Sequence, residues 1–429
     1  RVDFANNEYS NWNHIPKNFS FTSLANTGIM AWDQPPPNPG SNISLIPYAS
    51  AGVAKDYIAE IPASFLKGIG GDAKVAVSSS MNLDLTVNPD FSQVEVDEQV
   101  TNLDRFEIYY PEKRQFFLEN NDIFSQFGDR TTRPFFSRRI GITYDPDRAE
   151  YIPTPILFGA RLSGKLNQDW KMGVLNMQTA QVPESHSPAT NYTVATVHRR
   201  VFERSGIAAF LVNKDPVGFL SGDCDSCNTD RFNRVAGMDY TLASADNFWT
   251  GKVYYHQSFN EISRRNSYAH GGNIAYQNGH FNAGWSHQVV GDHYNAEVGY
   301  VRRTGYKSFN PQVGYTFYPK KPDWIIRHGP EFELQQFHSN DYGMADREVT
   351  LRYQAKFRNQ ASFYLSANHM YVKLTYDFDP SRSGGLALPA GSDYGWWYFF
   401  SYYRSDNRKP FTYGYTARWG GYYEGSHLS

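Results

Sequence analysis

The sequence predicts an all-β fold, and its strands are long enough to cross a bilayer. Three observations support this: alternation of apolar and polar residues over about ten positions, little helical periodicity, and an aromatic composition of 31 Tyr, 30 Phe and 9 Trp in 429 residues. The mean hydropathy is −0.58, and no stretch approaches the ~20 consecutive apolar residues of a spanning helix. A transmembrane barrel turns only every second side chain toward lipid, so this hydropathy is compatible with one.

Two segments show the alternation most clearly. In residues 348–358 the odd positions from Val349 to Phe357 are apolar, and every even position is polar or charged. In residues 411–419 the rings share one face, and Arg418 lies on the other. Residues 296–302 and 313–317 are predicted to be strands in the same way. Such runs come close to the ~9–11 residues of a tilted transmembrane strand.

Turn signals separate the alternating runs. They include Asn278-Gly279, Gly291-Asp292 and residues 383–385, and their spacing indicates antiparallel hairpins. We expect roughly 14 strands after residue 155 and two more in 43–60 and 72–88. A sheet of this size closes to remove its edges, so the prediction is a transmembrane antiparallel β-barrel of the outer-membrane type, with an even total of roughly 16–20 strands.

A soluble all-β protein is the competing interpretation. A propeller would show a blade-length repeat, and we find none. Aromatic residues near strand ends instead suggest interfacial girdles: Trp249, Tyr254, Tyr300, Tyr318, Trp324, Trp396, Trp397 and Trp419. The opposite faces carry charges that suit a hydrated lumen: Arg161, Lys165, Lys252, Glu297, Glu331, Glu333, Arg352 and Lys356.

Residues 88–140 do not alternate. The segment is too long for a hairpin turn and too hydrophobic for simple disorder, so we expect it to fill the lumen or cover the mouth as a plug. Its charged residues are predicted to form an ion-pair network at a lumenal constriction. These residues are Glu95, Asp97, Glu98, Arg105, Glu112, Lys113, Arg114, Glu119, Arg138 and Arg139.

The same region holds the only candidates for catalysis. Glu95 and Asp97 would lie on one face of a strand, a spacing that could serve acid/base chemistry on a glycan. A structural ion-pair network is the simpler interpretation. The sequence contains no GxSxG, HExxH or P-loop motif, and we assign no catalytic residue.

Other features exclude partners or leave alternatives open. The 41 Lys plus Arg nearly balance the 43 Asp plus Glu, giving a net charge of −2, so nucleic acid is not expected as a partner. Cys224 and Cys227 could form a local disulfide in an oxidising compartment or remain reduced. Asp223, Asp225 and Asp230 could instead bind Ca²⁺; no other cofactor is indicated. The Pro-rich residues 1–42 are predicted to be an extended linker before the barrel at 43–429.

Several motifs resemble a known family. They are residues 83–97 (LDLTVNPDFSQVEVD), 110–120 (YPEKRQFFLEN), 136–141 (FSRRIG), 159–165 (GARLSGK) and 173–179 (GVLNMQT). They are similar to an uncharacterised outer-membrane barrel domain of Bacteroidota and related Gram-negative bacteria, which usually follows a carbohydrate-binding family 9-like module. The similarity is strongest over residues 42–240. The module is absent from this sequence, and the end at residues 425–429 lacks the usual terminal aromatic, so we expect a truncated chain with further strands.

The resemblance implies a place in the outer membrane of a Gram-negative bacterium, with lipid, lipopolysaccharide and other outer-membrane or periplasmic proteins as partners. It implies no activity. We expect passage or handling of a solute or a glycan-type polymer. The alternatives are a structural or docking subunit of a larger complex, and a membrane-embedded hydrolase that uses carboxylates of residues 88–140.

Overall fold

The computed structural model describes residues 2–3, 8–15, 27–34, 42–56, 61–90, 107–145, 150–185, 187–217, 232–261, 265–381 and 384–429. One large antiparallel sheet dominates them. Its strands, numbered here in chain order, are β1 (Ile43–Asp56), β2 (Ile61–Ser78), β3 (Met81–Val87), β4 (Ile156–Lys165), β5 (Trp170–Thr179), β6 (Ala189–Val201), β7 (Ser205–Val217), β8 (Asn233–Ala243), β9 (Trp249–Phe259), β10 (Tyr268–Gln277), β11 (Phe281–Val290), β12 (Tyr306–Tyr315), β13 (Ile325–Ser339), β14 (Gly343–Phe357), β15 (Ser362–Lys373), β16 (Asp393–Arg404), β17 (Gly414–Tyr422) and β18 (Gly425–Leu428).

The strand order follows the chain throughout. Each strand from β2 to β17 is hydrogen-bonded to the strands before and after it, and β18 neighbours β1. The register is continuous through most pairs; for example, Trp170 pairs with Arg199 and Thr179 with Thr190 across β5 and β6. Among the described residues no helix is both long and apolar enough to span a membrane. Strands make up most of the described residues and the helices are only short, which confirms the prediction of an all-β chain.

The two faces of the sheet differ in what covers them. In β6 the alternate residues Thr190, Tyr192, Val194 and Thr196 are buried on one side of the sheet. Val197, which points to the opposite side, is exposed. We call the first side the covered face and the other the bare face. The alternation read from the sequence is confirmed in β14, where Leu351 is exposed on the bare face and Arg352 is partly buried with acidic partners on the covered face.

Residues 107–145, which we call the inner segment, pack against the covered face. The inner segment contains two short helices, α1 (Gln115–Leu118) and α2 (Asn121–Ser125), and a 3₁₀ turn at Ser137–Arg139. Its buried apolar side chains share one hydrophobic core with residues of β4 to β8 and of β10 to β12: Phe117, Ile123, Phe124, Phe127, Phe135 and Ile140 from the inner segment, and Leu175, Met177, Val194, Phe210, Val212, Val235, Ala269, Val290 and Tyr306 from those strands.

The prediction of a strand of the large sheet over residues 296–302 is wrong. Only Tyr300–Val301 is extended there, and it pairs with Thr132–Arg133 of the inner segment rather than with the large sheet. Val298 and Tyr300 are buried in this contact. A second two-stranded unit joins Ile142–Asp145 to Glu150–Pro153, and a further one joins Val2–Asp3 to Glu8–Tyr9. Short alternating runs thus serve here as packing surface between the inner segment and the connection from β11 to β12.

The exposure expected for the aromatic residues near strand ends is confirmed only in part. Trp249, Trp324, Trp397 and Trp419 are exposed, as expected. Tyr254, Tyr300 and Trp396 are instead buried on the covered side. Aromatic character therefore does not by itself decide which face a ring occupies, because the interior of this fold is also rich in rings.

The N-terminal part of the sheet has three strands where two alternating segments, 43–60 and 72–88, were predicted. Strand β2 fills the interval and turns into β3 at Ser79-Ser80. Its residues 68–71 read Gly-Ile-Gly-Gly, which hides the alternation, since glycine has no side chain to assign to either face.

Connections at the two ends of the sheet differ in length. At one end, here the turn end, most connections are short, such as 79–80, 166–169, 202–204 and 278–280. At the other, the loop end, they include 88–155, 180–188, 291–305 and 374–392. The inner segment belongs to the longest of these and so enters from the loop end.

Candidate functional site: a polar cavity beside the inner segment

A buried ion pair fixes the start of the inner segment to β3 and β4. Arg161 donates from Nη2 and Nε to Asp84 Oδ2 at 2.7 and 3.1 Å, and its side chain is only 3% exposed. Its Nη1 group also donates to the carbonyl oxygens of Phe116 and, at 2.7 Å, Glu119. One guanidinium therefore joins two strands to the end of α1.

A second anchor lies at Gly128, after α2. Its N–H donates to Asp239 Oδ2 on β8 at 2.8 Å, and the same carboxylate contacts Lys252 Nζ and His256 Nε2, each at 2.8 Å. Gly128 has φ +69°, and a Cβ atom there would lie 2.1 Å from the Thr132 carbonyl oxygen. Only glycine fits this turn.

A third anchor holds the inner segment together. Arg114 binds Glu112 through Nη2 at 2.7 Å and donates to the carbonyl oxygens of Ser137 and Ile140. The Ser137 hydroxyl donates to Glu112 Oε2 at 2.6 Å. Burial acts to raise the pKa of Glu112, but the hydrogen bonds from Arg114 and Ser137 and the charge of Arg114 outweigh it, so this pKa lies below its ordinary value.

Between the second and third anchors, residues 129–132 form a tight turn that faces the sheet. Asp129 Oδ1 accepts the backbone N–H groups of Thr131 and Thr132 at 2.7 and 2.9 Å. Tyr254 on β9 donates its hydroxyl to Asp129 Oδ2 at 3.2 Å, and Gln288 on β11 donates to Thr132 Oγ1 at 2.9 Å. These hydrogen bonds fix the position of the turn relative to β9 and β11.

The turn forms one side of a cavity of about 760 Å³. The inner segment packs against strands from β2 to β12, and residues of β9 to β17 line this cavity beside it. Its wall on β10 to β13 is rich in amides and hydroxyls, beside His287 and Phe337: Asn273, Ser286, Gln288, Ser308, Asn310 and Gln335. The wall on β15 to β17 is mainly apolar and aromatic: Met370, Val372, Trp396, Arg418 and Tyr422.

Acidic and basic residues also line this cavity. Asp346 on β14 pairs with Arg303 Nη1 at 2.8 Å. Glu348, two residues further along, accepts the Tyr398 hydroxyl at 2.5 Å. The guanidinium of Arg418 lies over the Tyr398 ring, 4.2 Å from its centroid, a cation–π contact that orients the cation.

The structure describes six of the ten residues predicted for the lumenal network. Arg114 pairs with Glu112 as above. Arg139 pairs with Glu107 at 2.7 Å, and Glu119 accepts Lys74 Nζ on β2. Arg138 donates to the Pro111 carbonyl oxygen at 2.9 Å, and the backbone N–H of Lys113 donates to Glu112 Oε1.

Glu119 thus ties the inner segment to β2, and the other five residues make contacts within residues 107–145. None of the six is among the described residues that line the cavity. The other four, Glu95, Asp97, Glu98 and Arg105, lie outside the described residues, so the hydrolase alternative stays a prediction.

Of the charged residues that line the cavity, only Lys252 was selected from the sequence, as one of the charges that suit a hydrated lumen. Arg418 was placed on the polar face of its strand, and Glu348 began the clearest alternating run, so the signal was present at both positions. Arg130 and Arg303 lie in connections, where period two gives no information. What identifies them as one site is their shared cavity.

Among the described residues, no group of three or more His, Cys, Asp or Glu side chains could hold a metal ion. The predicted disulfide at Cys224 and Cys227 and the possible Ca²⁺ ligands Asp223, Asp225 and Asp230 all lie in 218–231, outside the described residues.

Comparison with known proteins gives one result. Residues 39–428 match a family described as "Domain of unknown function (DUF5916)". No curated protein and no solved structure matches the chain. The match spans the whole large sheet, the inner segment and the cavity, and the chain therefore belongs to this family of unknown function.

Proposed function

We propose that the chain is a transmembrane β-barrel of the outer membrane that passes or handles a polar solute or a glycan-type polymer. The observation that carries the proposal is the bare face of the sheet. Large apolar side chains are exposed along it in nearly every strand; Phe65 is 69% exposed, Ile69 81%, Val253 56% and Leu351 55%.

An apolar surface of this extent is costly in water. Ring pairs such as Trp285 with Phe309 and Phe399 with Trp419 lie on the bare face without cover from the described part of the chain. Soluble monomers rarely expose contiguous apolar patches above a few hundred Å². Acyl chains of outer-membrane lipid and lipopolysaccharide would cover this face, as they cover the apolar band of outer-membrane barrels.

The strand order supports closure. An up-and-down sheet of eighteen strands in which β18 neighbours β1 leaves no edge strand, and closure is the arrangement that satisfies every backbone group inside a bilayer. The covered face carries ion pairs such as Arg352 with Glu331 and Glu333 at 2.8 and 3.0 Å. Such charges suit a hydrated interior.

Connection lengths suggest the orientation. Outer-membrane barrels have short periplasmic turns and longer extracellular loops, which would place the turn end in the periplasm and the loop end outside. In a background with both cysteines replaced, Leu386→Cys at the loop end should react with an impermeant maleimide on intact cells. Gln168→Cys at the turn end should react only after the outer membrane is opened. The reverse labelling would contradict this orientation.

The inner segment would narrow the barrel, and the cavity beside it would be the space left for a solute. A structural or docking barrel is the second candidate. It is favoured by the buried anchors at Asp84–Arg161 and Asp239–Lys252, since a firmly held plug is expected in a barrel that conducts nothing.

Two measurements test the proposal. The full chain should need detergent to remain monodisperse and should insert into lipid vesicles; a stable monomer in plain buffer would overturn the membrane assignment. In planar bilayers, a passage role predicts stepwise conductance, larger in Arg114→Ala because the inner segment loses an anchor. If the protein folds and inserts but neither the wild type nor Arg114→Ala conducts, the structural or docking barrel is the function that remains.

A further inference from the structure

We infer that the cavity beside the inner segment binds a polyhydroxylated organic anion, such as a sugar acid or a sugar phosphate. This inference rests on the proposed function, since it names the class of solute that the barrel handles. It is carried by the charges that line the cavity, by the polar groups of one wall, and by the size of the space.

The acids of the cavity are already engaged. Asp346 pairs with Arg303, Glu348 accepts the Tyr398 hydroxyl, and Asp129 accepts two backbone N–H groups. Three cations have no carboxylate partner within the part of the chain that the structure describes: Arg130 of the inner segment, Arg347 of β14 and Arg418 of β17. With Lys252, Arg302 and Arg303, the described residues that line the cavity include six cations against these three acids, so the cavity is positive and attracts an anion.

The guanidinium groups suit a carboxylate or a phosphate. Their planar N–H groups bind either anion in a bidentate way. Arg418 is held against Tyr398, so less side-chain freedom is lost when a ligand binds it.

One buried polar atom on each wall of the cavity suits a ligand with hydroxyl groups. Asn310 donates to Ser286 Oγ at 3.3 Å, but its Oδ1 atom accepts no hydrogen bond, and Trp396 Nε1, in a side chain 8% exposed, has no acceptor among the described residues. A buried polar atom without a partner costs free energy. A ligand that both donates and accepts, as a sugar hydroxyl does, can meet both needs, whereas a simple anion cannot donate to Asn310.

The volume of the cavity agrees with a ligand of the size of a sugar acid or a sugar phosphate. About 760 Å³ is far more than an inorganic ion fills and lies within the range of pockets that enclose small organic ligands, roughly 300–1,000 Å³.

Calorimetric titration of the detergent-solubilised full chain tests the inference, with glucuronate, glucose 6-phosphate, glucose and acetate as probes. At least one of the two sugar anions should bind about 10-fold or more tightly than glucose and acetate. The order of the affinities for glucuronate and glucose 6-phosphate shows whether the site prefers a carboxylate or a phosphate. Equal binding of glucose, or no binding of either sugar anion, would overturn the inference.

Variants locate the site. Arg130→Gln and Arg418→Gln should each weaken the sugar anion about 10-fold or more and leave glucose within about 2-fold. Arg200→Gln, which removes an arginine outside the cavity, should change neither. If Arg418→Gln does not fold, the exposed Arg130 and the conservative Trp396→Phe carry the test. An unchanged affinity of these variants for the sugar anion would contradict the proposal.

Vesicle insertion separates this inference from the proposed function. A protein that inserts but binds no sugar anion contradicts only the ligand. A protein that binds the anion but stays soluble without detergent contradicts only the membrane assignment.

Discussion

The ring of Phe124 in α2 occupies the space that a side chain on Gly173 of β5 would need. A Cβ atom built on Gly173 would lie 2.5 Å from Phe124 Cζ and 2.8 Å from Ile123 Cγ2. The missing side chain in the sheet thus forms the niche in which the inner segment docks. Close packing of this kind makes the docking sensitive to a few methyl groups.

The first prediction concerns this niche. Gly173→Val should displace α2, because overpacking a filled site costs about 1–3 kcal/mol. The inner segment should then be cut faster by protease in the folded protein, and any conductance should rise. Gly279→Val serves as the control, since no atom lies within 4 Å of a Cβ there. Equal protection of Gly173→Val and the wild type would show that the niche is not needed for docking.

The second prediction concerns the ion pair that joins Asp84 to Arg161. Asp84→Asn leaves a buried cation with a weakened partner, and breaking a buried pair costs about 3–5 kcal/mol. The matched change is Asp169→Asn, whose Arg200 partner is 53% exposed; an exposed pair contributes only about 0–1 kcal/mol. Denaturant unfolding in detergent measures both. Similar losses would contradict the anchoring role of Arg161.

The third prediction is a pH dependence of the inner segment. The pKa of Glu112 is lowered in the folded state, so its contribution to stability is fully present above the ordinary glutamate pKa of about 4.3. It is lost as the pH falls through the lower folded value.

Protease protection of the inner segment, followed from pH 7 downward, tests this. Relative to the wild type, Glu112→Gln should be less protected near neutral pH, and the difference between the two proteins should shrink as the pH falls below the ordinary glutamate pKa and through the lower folded value. A constant difference over this range would mean that the Glu112 carboxylate is not the group responsible.

The fourth prediction tests the bare face. Leu351→Arg places a charge where acyl chains are expected and should cost about 2–4 kcal/mol of stability in vesicles if Leu351 lies near the bilayer midplane. Leu386→Arg makes the same change in a connection where the leucine is fully exposed, and it should be nearly neutral. If Leu351→Arg is as stable as Leu386→Arg, lipid does not cover this face.

Much of the fold follows from local alternation. The positions of Leu351 and Tyr353 on one face and Arg352 on the other were predictable, because successive side chains of a strand point to opposite sides. The failure at residues 296–302 has the same origin. Period two separates two faces but does not tell what covers each one, and there the inner segment covers Val298 and Tyr300.

The candidate site was less accessible to sequence reasoning. The charges of residues 107–145 were found, yet they serve as anchors, as Glu112 with Arg114 shows. The cavity lies beyond these anchors and is lined by side chains from nine strands. No local sequence pattern identifies residues that meet only in the tertiary structure.

The sequence by itself determined that the chain forms long amphipathic strands, with rings and aliphatic groups on one face and charges on the other. Only the tertiary structure decided that Phe124 docks at Gly173 and that Arg130 and Arg418 line one cavity. The reason is physical: a side chain's face is set by the backbone of its own strand, whereas its partners across the interior depend on how the sheet curves and on what packs within it.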